Sequence, residues 1–148
     1  MNIQIDQSNK IEKTNKNTFI GLANGKSYSI LIDRKLKRKL QEEFRKQGKP
    51  KLFVYRTFIA GVVLLIKYAK LDNVQEIIID EEYSGKEKVL KSMFLEMWSR
   101  YYGEIPEVSF ERIGKKSKAH YACYYSMKGE RKINKKIDYQ ELKKLALK

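Results

Sequence analysis

The chain has 148 residues, the length of one domain with room for a sizeable core, and at 42% apolar and 34% charged it is too apolar for wholesale disorder. A single cysteine excludes a disulfide scaffold and a cysteine-only zinc site, and a single histidine excludes multi-histidine metal motifs. The net charge of +14 is unevenly spread: Asp33–Lys51 carries nine basic and three acidic groups, Arg112–Lys136 nine and one, and between them Asp72–Glu111 carries four basic and ten acidic. Two basic blocks flanking an acidic middle point to a polyanionic partner, with nucleic acid the first expectation; a lysine-rich solvated surface is the plainer alternative.

In chain order, Asn2–Asp6 alternates Ile3 and Ile5 against Gln4 and Asp6, which reads as a strand ending on an acid. A polar Lys/Asn-rich stretch follows. Thr18–Ala23 and Ser27–Ile32 read as two further strands joined at Asn24-Gly25, a strong hairpin signal, so the opening is an antiparallel meander. Asp33 then caps an amphipathic helix with Leu36, Leu40 and Phe44 inward; Arg34, Lys35, Lys37, Arg38 and Lys39 make up its basic outer face. Leu52–Lys70 predicts a central helix. Its longest apolar run, Phe58–Ile66, is nine residues against the ~20 of a membrane span, and Met1–Lys10 has no apolar signal core. No membrane association and a reducing, cytoplasmic location are the expectations.

Val74–Ile79 predicts a buried strand that stops at Asp80-Glu81-Glu82. Ser84–Glu87 has capping-box spacing ahead of a helix reaching Tyr101, with Met93, Met97 and Trp98 in the core. A fifth strand, Glu107–Ile113, leads through a basic turn to a helix capped by Ser117 and running to about Met127. Gly129–Lys136 reads as a charged connection, and Asp138 caps a short tail helix that packs on the periphery or on a partner chain. The expected fold is α/β, one domain over residues 1–136 with a short helical tail over 137–148. A central mixed sheet of five strands, the first three antiparallel, carries helices on both faces.

Candidate chemistry lies at Asp6 on the first strand, at Asp80 with Glu81 and Glu82 beyond the fourth, and at His120 in the first turn of the helix after the fifth. Strand alternation places Glu82 on the same side as Asp80. If strands one and four are neighbours, the acids meet at one edge, and clustered oxygen ligands favour Mg²⁺ or Mn²⁺. Such ions, in pairs, clamp both oxygens of an in-line phosphate displacement. The plainer readings are solvated or capping acids and a histidine packed beside Tyr124. Arg112, Lys115, Lys116 and Lys118 crowd the turn and helix start that carry His120, where free backbone N–H groups also suit phosphate. Tyr121, Tyr124 and Tyr125 offer base stacking or core packing. Cys123 reads as a small core residue. There is no Walker loop, nucleophile elbow or dinucleotide fingerprint.

The pieces Ile3-Gln4-Ile5-Asp6-Gln7-Ser8, Ile77-Ile78-Ile79-Asp80-Glu81-Glu82 and Lys118-Ala119-His120-Tyr121-Ala122, in this strand order, resemble the ribonuclease H-like superfamily over roughly Asn2–Met127. The third piece is similar to the histidine-bearing helix of Piwi and Argonaute nuclease domains, where a histidine replaces a third carboxylate. The chain departs from the superfamily in the apolar helix Leu52–Lys70. It also departs at the first-helix glutamate of classical ribonuclease H, for which Glu42 and Glu43 are no clear match. The resemblance implies a metal-dependent nuclease cutting RNA or DNA with Asp6, Asp80, His120 and Glu82 as catalytic residues. The first three would ligate Mg²⁺ or Mn²⁺, and the alternative is a non-catalytic nucleic-acid binder on the same scaffold. Nothing in the sequence reads bases, so backbone contacts are expected through Arg112, Lys115, Lys116 and Lys118.

Overall fold

The structure is a computed structural model and describes residues 1–113, 118–129 and 133–148; for Ala122, Cys123 and Ser126 it describes the backbone alone. The opening meander is β1 (Asn2–Ser8), β2 (Thr18–Ala23) and β3 (Ser27–Ile32), with Gly25 at φ 101° in the β2–β3 turn, a conformation open to glycine at no steric cost. Helix α1 (Arg34–Lys46) starts where the Asp33 carboxylate accepts the Lys35 N–H. A single 3-10 turn at Pro50–Leu52 leads into α2 (Phe53–Ala69). Then come β4 (Glu76–Asp80), α3 (Glu87–Trp98), β5 (Glu107–Glu111), α4 (Lys118–Met127), β6 (Lys135–Lys136) and α5 (Tyr139–Leu147).

The six strands form one mixed sheet in the order β5-β4-β1-β2-β3-β6. β1–β2 and β2–β3 are antiparallel; β1–β4, β4–β5 and β3–β6 are parallel. The sixth strand corrects the expectation of five. It is two lysines long and has no apolar pattern to announce it. Its neighbours carry the backbone pairing, with Asn134 donating to Ser29 at 3.0 Å and Ile137 to Leu31 at 2.9 Å.

Pairing register sorts the side chains by face. Ile3 and Ile5, Ile20 and Leu22, Ile30 and Ile32, and Ile77 and Ile79 are buried on one face. Helix α2 lies against it so closely that a Cβ on Gly61 would sit 2.8 Å from the Ile20 Cδ1 and 3.0 Å from the Ile32 Cδ1. Residues Thr57–Ile66 of α2 are all buried, as α1, α3 and α5 pack around it. The helix is long and apolar enough to pass a membrane-span test, a test that the core helix of a soluble protein also passes. Helix α5 packs on α2 and α1 of its own chain through Leu142, Leu145 and Ala146. Its last carbonyls accept from arginines: Arg56 donates to the Ala146 oxygen and Arg100 to those of Lys144 and Leu145, which satisfies the orphan acceptors of a helix end. Helix α4 covers β1, β2 and β3 on the opposite face of the sheet.

Three local expectations change. Ser84 does not cap α3: its hydroxyl donates to Glu81 at 3.1 Å, and the residue before the helix, Lys86, makes no side-chain cap. The helix also ends at Trp98, short of Tyr101. Lys37 is fully buried and so leaves the basic outer face assigned to α1. The Ser117 cap and the side chain of Cys123 lie outside the described residues.

Candidate metal centre

Because β1 and β4 are parallel neighbours with Ile5 opposite Ile79, Asp6 and Asp80 emerge side by side at the same strand ends, on the face that α4 covers. Asp6 sits opposite Gly21 of β2. The chain runs on from Asp80 so that Glu82 returns toward them: one ligand oxygen from each of Asp6, Asp80 and Glu82 lies within 4.8 Å of the others. The three carboxylates could hold a metal ion. Together with Gln7, Glu81, Arg112 and His120 they line an open cleft of about 430 Å³.

Each carboxylate is anchored. Asp6 is buried; its Oδ1 accepts the Gln7 N–H at 2.8 Å, and its Oδ2 is 3.0 Å from the His120 Nδ1. Asp80 Oδ1 accepts the Ile113 N–H at 2.9 Å, which ties the end of β4 to the segment after β5. Glu82 is paired with Lys10, whose Nζ is 3.5 Å from its Oε2.

Crowding of like charge in a desolvated site shows in the proton affinities. Burial and the charge of Asp80 raise the Asp6 carboxyl above its usual range, against the lowering hydrogen bonds from Gln7 and His120. Burial, a hydrogen bond to Asp80 and the charges of Asp6 and Asp80 push Glu82 up to about 8, with Lys10 pulling the other way. These carboxylates are short of positive charge. A divalent cation would supply it, and an all-oxygen donor set suits a hard ion.

The structure thus brings Asp6, Asp80 and Glu82 together and leaves Glu81 outside the ligand group, bonded to Ser84. His120 reaches the cluster through Asp6, and its ring also stacks on Tyr124, 5.5 Å between centroids and 17° between planes. Arg112 is exposed at the cleft. Lys118 is exposed and lines a neighbouring groove with Gln4, Glu76 and Ile78. Lys115 and Lys116 lie outside the described residues. Tyr121, Tyr124 and Tyr125 are half-buried, and Tyr121 stacks on Tyr125.

Sequence reasoning missed the support for the cluster. Gln7 Nε2 donates to the Tyr83 hydroxyl at 3.1 Å, and that hydroxyl donates to Glu12 at 3.1 Å. The buried Gln7 Oε1 has no hydrogen-bond partner among the described residues. Lys10 and Glu12 stand in the polar stretch between β1 and β2, and nothing in its composition marks them out. The one available signal was Ile11, a lone apolar residue that proves fully buried and pins that stretch to the core.

No family model, curated protein or solved structure matches the chain. The residues themselves therefore define the class: an α/β protein with a mixed six-stranded sheet and an acidic cluster fit for a divalent cation.

Proposed function

We propose that the protein is a metal-dependent nuclease of ribonuclease H-like architecture that hydrolyses phosphodiester bonds of RNA or DNA. The observation that carries this reading is the convergence of Asp6, Asp80 and Glu82 at the ends of two adjacent parallel strands. Strand ends in open α/β sheets are where such folds place their ligands. The sheet order, with β1 between an antiparallel β2 and a parallel β4, supports the architectural part. The net charge of +14 supports a polyanionic substrate.

In this reading Asp6, Asp80 and Glu82 hold Mg²⁺ or Mn²⁺, which when bound supplies Lewis-acid activation of water and of the phosphoryl oxygens. His120 fixes the orientation of Asp6 through their hydrogen bond, as partners of metal-ligating groups do. Arg112 at the cleft, Lys118 at the start of α4, and Lys115 and Lys116 between them in the sequence hold the nucleic-acid backbone by charge.

The test is Mn²⁺-dependent cleavage of single-stranded, duplex, hybrid and branched substrates by wild type and Asp80→Asn. Wild type cleaves at least one of them, and Asp80→Asn loses at least about 100-fold, the upper range for groups that merely support a metal ligand. Gel shifts in the absence of metal show binding by both proteins, falling steeply between low and moderate salt and weakened by the double change Lys115→Ala plus Lys116→Ala. Equal cleavage by both proteins removes the site. Salt-sensitive binding without cleavage leaves the non-catalytic binder in its place.

A further inference from the structure

Among the described residues, the lysine paired with the acidic cluster is Lys10, on Glu82. Its Nζ lies 3.5 Å from the Glu82 Oε2 and 3.4 Å from the Glu82 backbone oxygen, with the Tyr83 ring centroid 5.8 Å away. The Lys10 side chain is 41% exposed. The segment that carries it is held at several points. Asn9 takes a left-handed turn at φ 60°, and its carbonyl accepts the Thr18 hydroxyl at 2.7 Å. Ile11 is fully buried. Lys37 reaches out of α1 to donate to the Lys13 carbonyl and the Thr18 hydroxyl, each at 2.8 Å. Glu12 accepts from Tyr83, the residue next to Glu82. A buried lysine and a buried isoleucine are thus committed to fixing a nine-residue connection whose one contact with the acidic cluster is Lys10.

The charges explain what that contact does. Three carboxylates are balanced by one divalent cation and one ammonium. A second divalent cation held by Glu82 would have to share that carboxylate with the Lys10 ammonium, in a site already neutral. We infer that Lys10 occupies the place of a second metal ion, so that the cluster binds a single divalent cation and presents the ammonium as its second positive contact for a phosphate oxygen. This inference rests on the metal-dependent reading of the site. It makes the centre a one-ion site, where the sequence leaves one ion or two open.

The test uses Mn²⁺ alone with the full chain, without nucleic acid, and counts bound ions by equilibrium dialysis with electron paramagnetic resonance of the bound fraction. Wild type and Lys10→Arg bind one ion per chain with an uncoupled signal. Lys10→Ala, at an exposed position whose loop keeps its other anchors, binds two, with the signal of a coupled pair. Asp80→Asn binds none. Two ions in wild type, or one ion in Lys10→Ala at unchanged affinity, overturns the role of Lys10 and leaves the nuclease reading standing. No ion in wild type overturns that reading itself and the inference with it.

Discussion

Lys37 stands on the buried stripe of α1, one residue from Leu36 and one helical turn before Leu40, and it is fully buried. The period that places Leu36, Leu40 and Phe44 inward covers position 37 as well; what hid it was its residue type, since lysines almost never bury completely without partners. Its partners, the Lys13 carbonyl and the Thr18 hydroxyl, come from a segment whose course the sequence does not reveal. Burial lowers the Lys37 ammonium to about 8, with Glu12 pulling the other way. Between about pH 8 and the usual lysine range the unfolded chain therefore holds a proton that the folded chain has released, and stability contributed by this group rises with pH across that window. The expected outcome is that wild type gains on the order of 1–3 kcal/mol relative to Lys37→Met between pH 7.5 and pH 10, read from urea midpoints. Parallel pH profiles for the two proteins would show that the ammonium titrates as it does in water. The clustered acids are more legible than their support: Asp6 and Asp80 stand at strand ends with Glu82 two residues on, whereas Lys10 and Gln7 act through contacts some 70 residues away in sequence.

The elements were legible where one face is apolar. The meander, α1 and α5 all carry such a face, and the caps read from Asp33 and Asp138 are both made by side-chain oxygens. The failures are elements held by the backbone alone, as in β6, or by a competing polar partner, as at Ser84, which prefers Glu81 to the helix start. Helix α2 shows what periodicity cannot: its burial on all sides leaves no stripe, and only Gly61 records how near the sheet it runs. Alanine there gains helix propensity of about 1 kcal/mol and meets only the mobile ends of Ile20 and Ile32, so Gly61→Ala is expected to change stability little. Gly61→Leu has no such escape and is expected to cost 1–3 kcal/mol or more, about the penalty of overpacking a filled core. Chemical denaturation of the two variants measures the contrast; equal stability of both would mean that α2 stands off from the sheet.

Across the whole molecule the charge blocks were read correctly as composition, but they were not read as geometry. The acidic middle divides into three uses. Asp80 and Glu82 join Asp6 in the acidic cluster. Glu96 sits between Arg56 and Arg100 at 3.1 and 2.6 Å and ties α3 to the arginines that finish α5. Glu107 and Glu111 lie on β5, the outer strand of the sheet on that side, so that edge carries acids. Such an edge resists pairing with another chain and repels phosphate. The linear sequence shows the number of acids; only the fold separates those that cluster with Asp6 from those on the edge strand.

The parallel pairing of β1 with β4 joins Ile3 to Ile77, 74 residues on, while the antiparallel pairing of β1 with β2 joins Gln4 to Ala23. Closing the short loop costs less entropy than closing the long one, so the meander is the early event of folding and the β4 ladder a late one. The mutual repulsion of Asp6, Asp80 and Glu82 exists only once that ladder is made. It is a cost incurred after the main barrier, and it sets how long the native state lasts without affecting how fast it is reached. In metal-free solution at neutral pH, Glu82→Gln is accordingly expected to slow unfolding several-fold while leaving the refolding arm of a stopped-flow chevron where it was. A faster refolding arm with unchanged unfolding would place the assembly of this centre at the start of folding. A chain built this way completes its acidic cluster late, and a cation held there would lengthen the life of the native state.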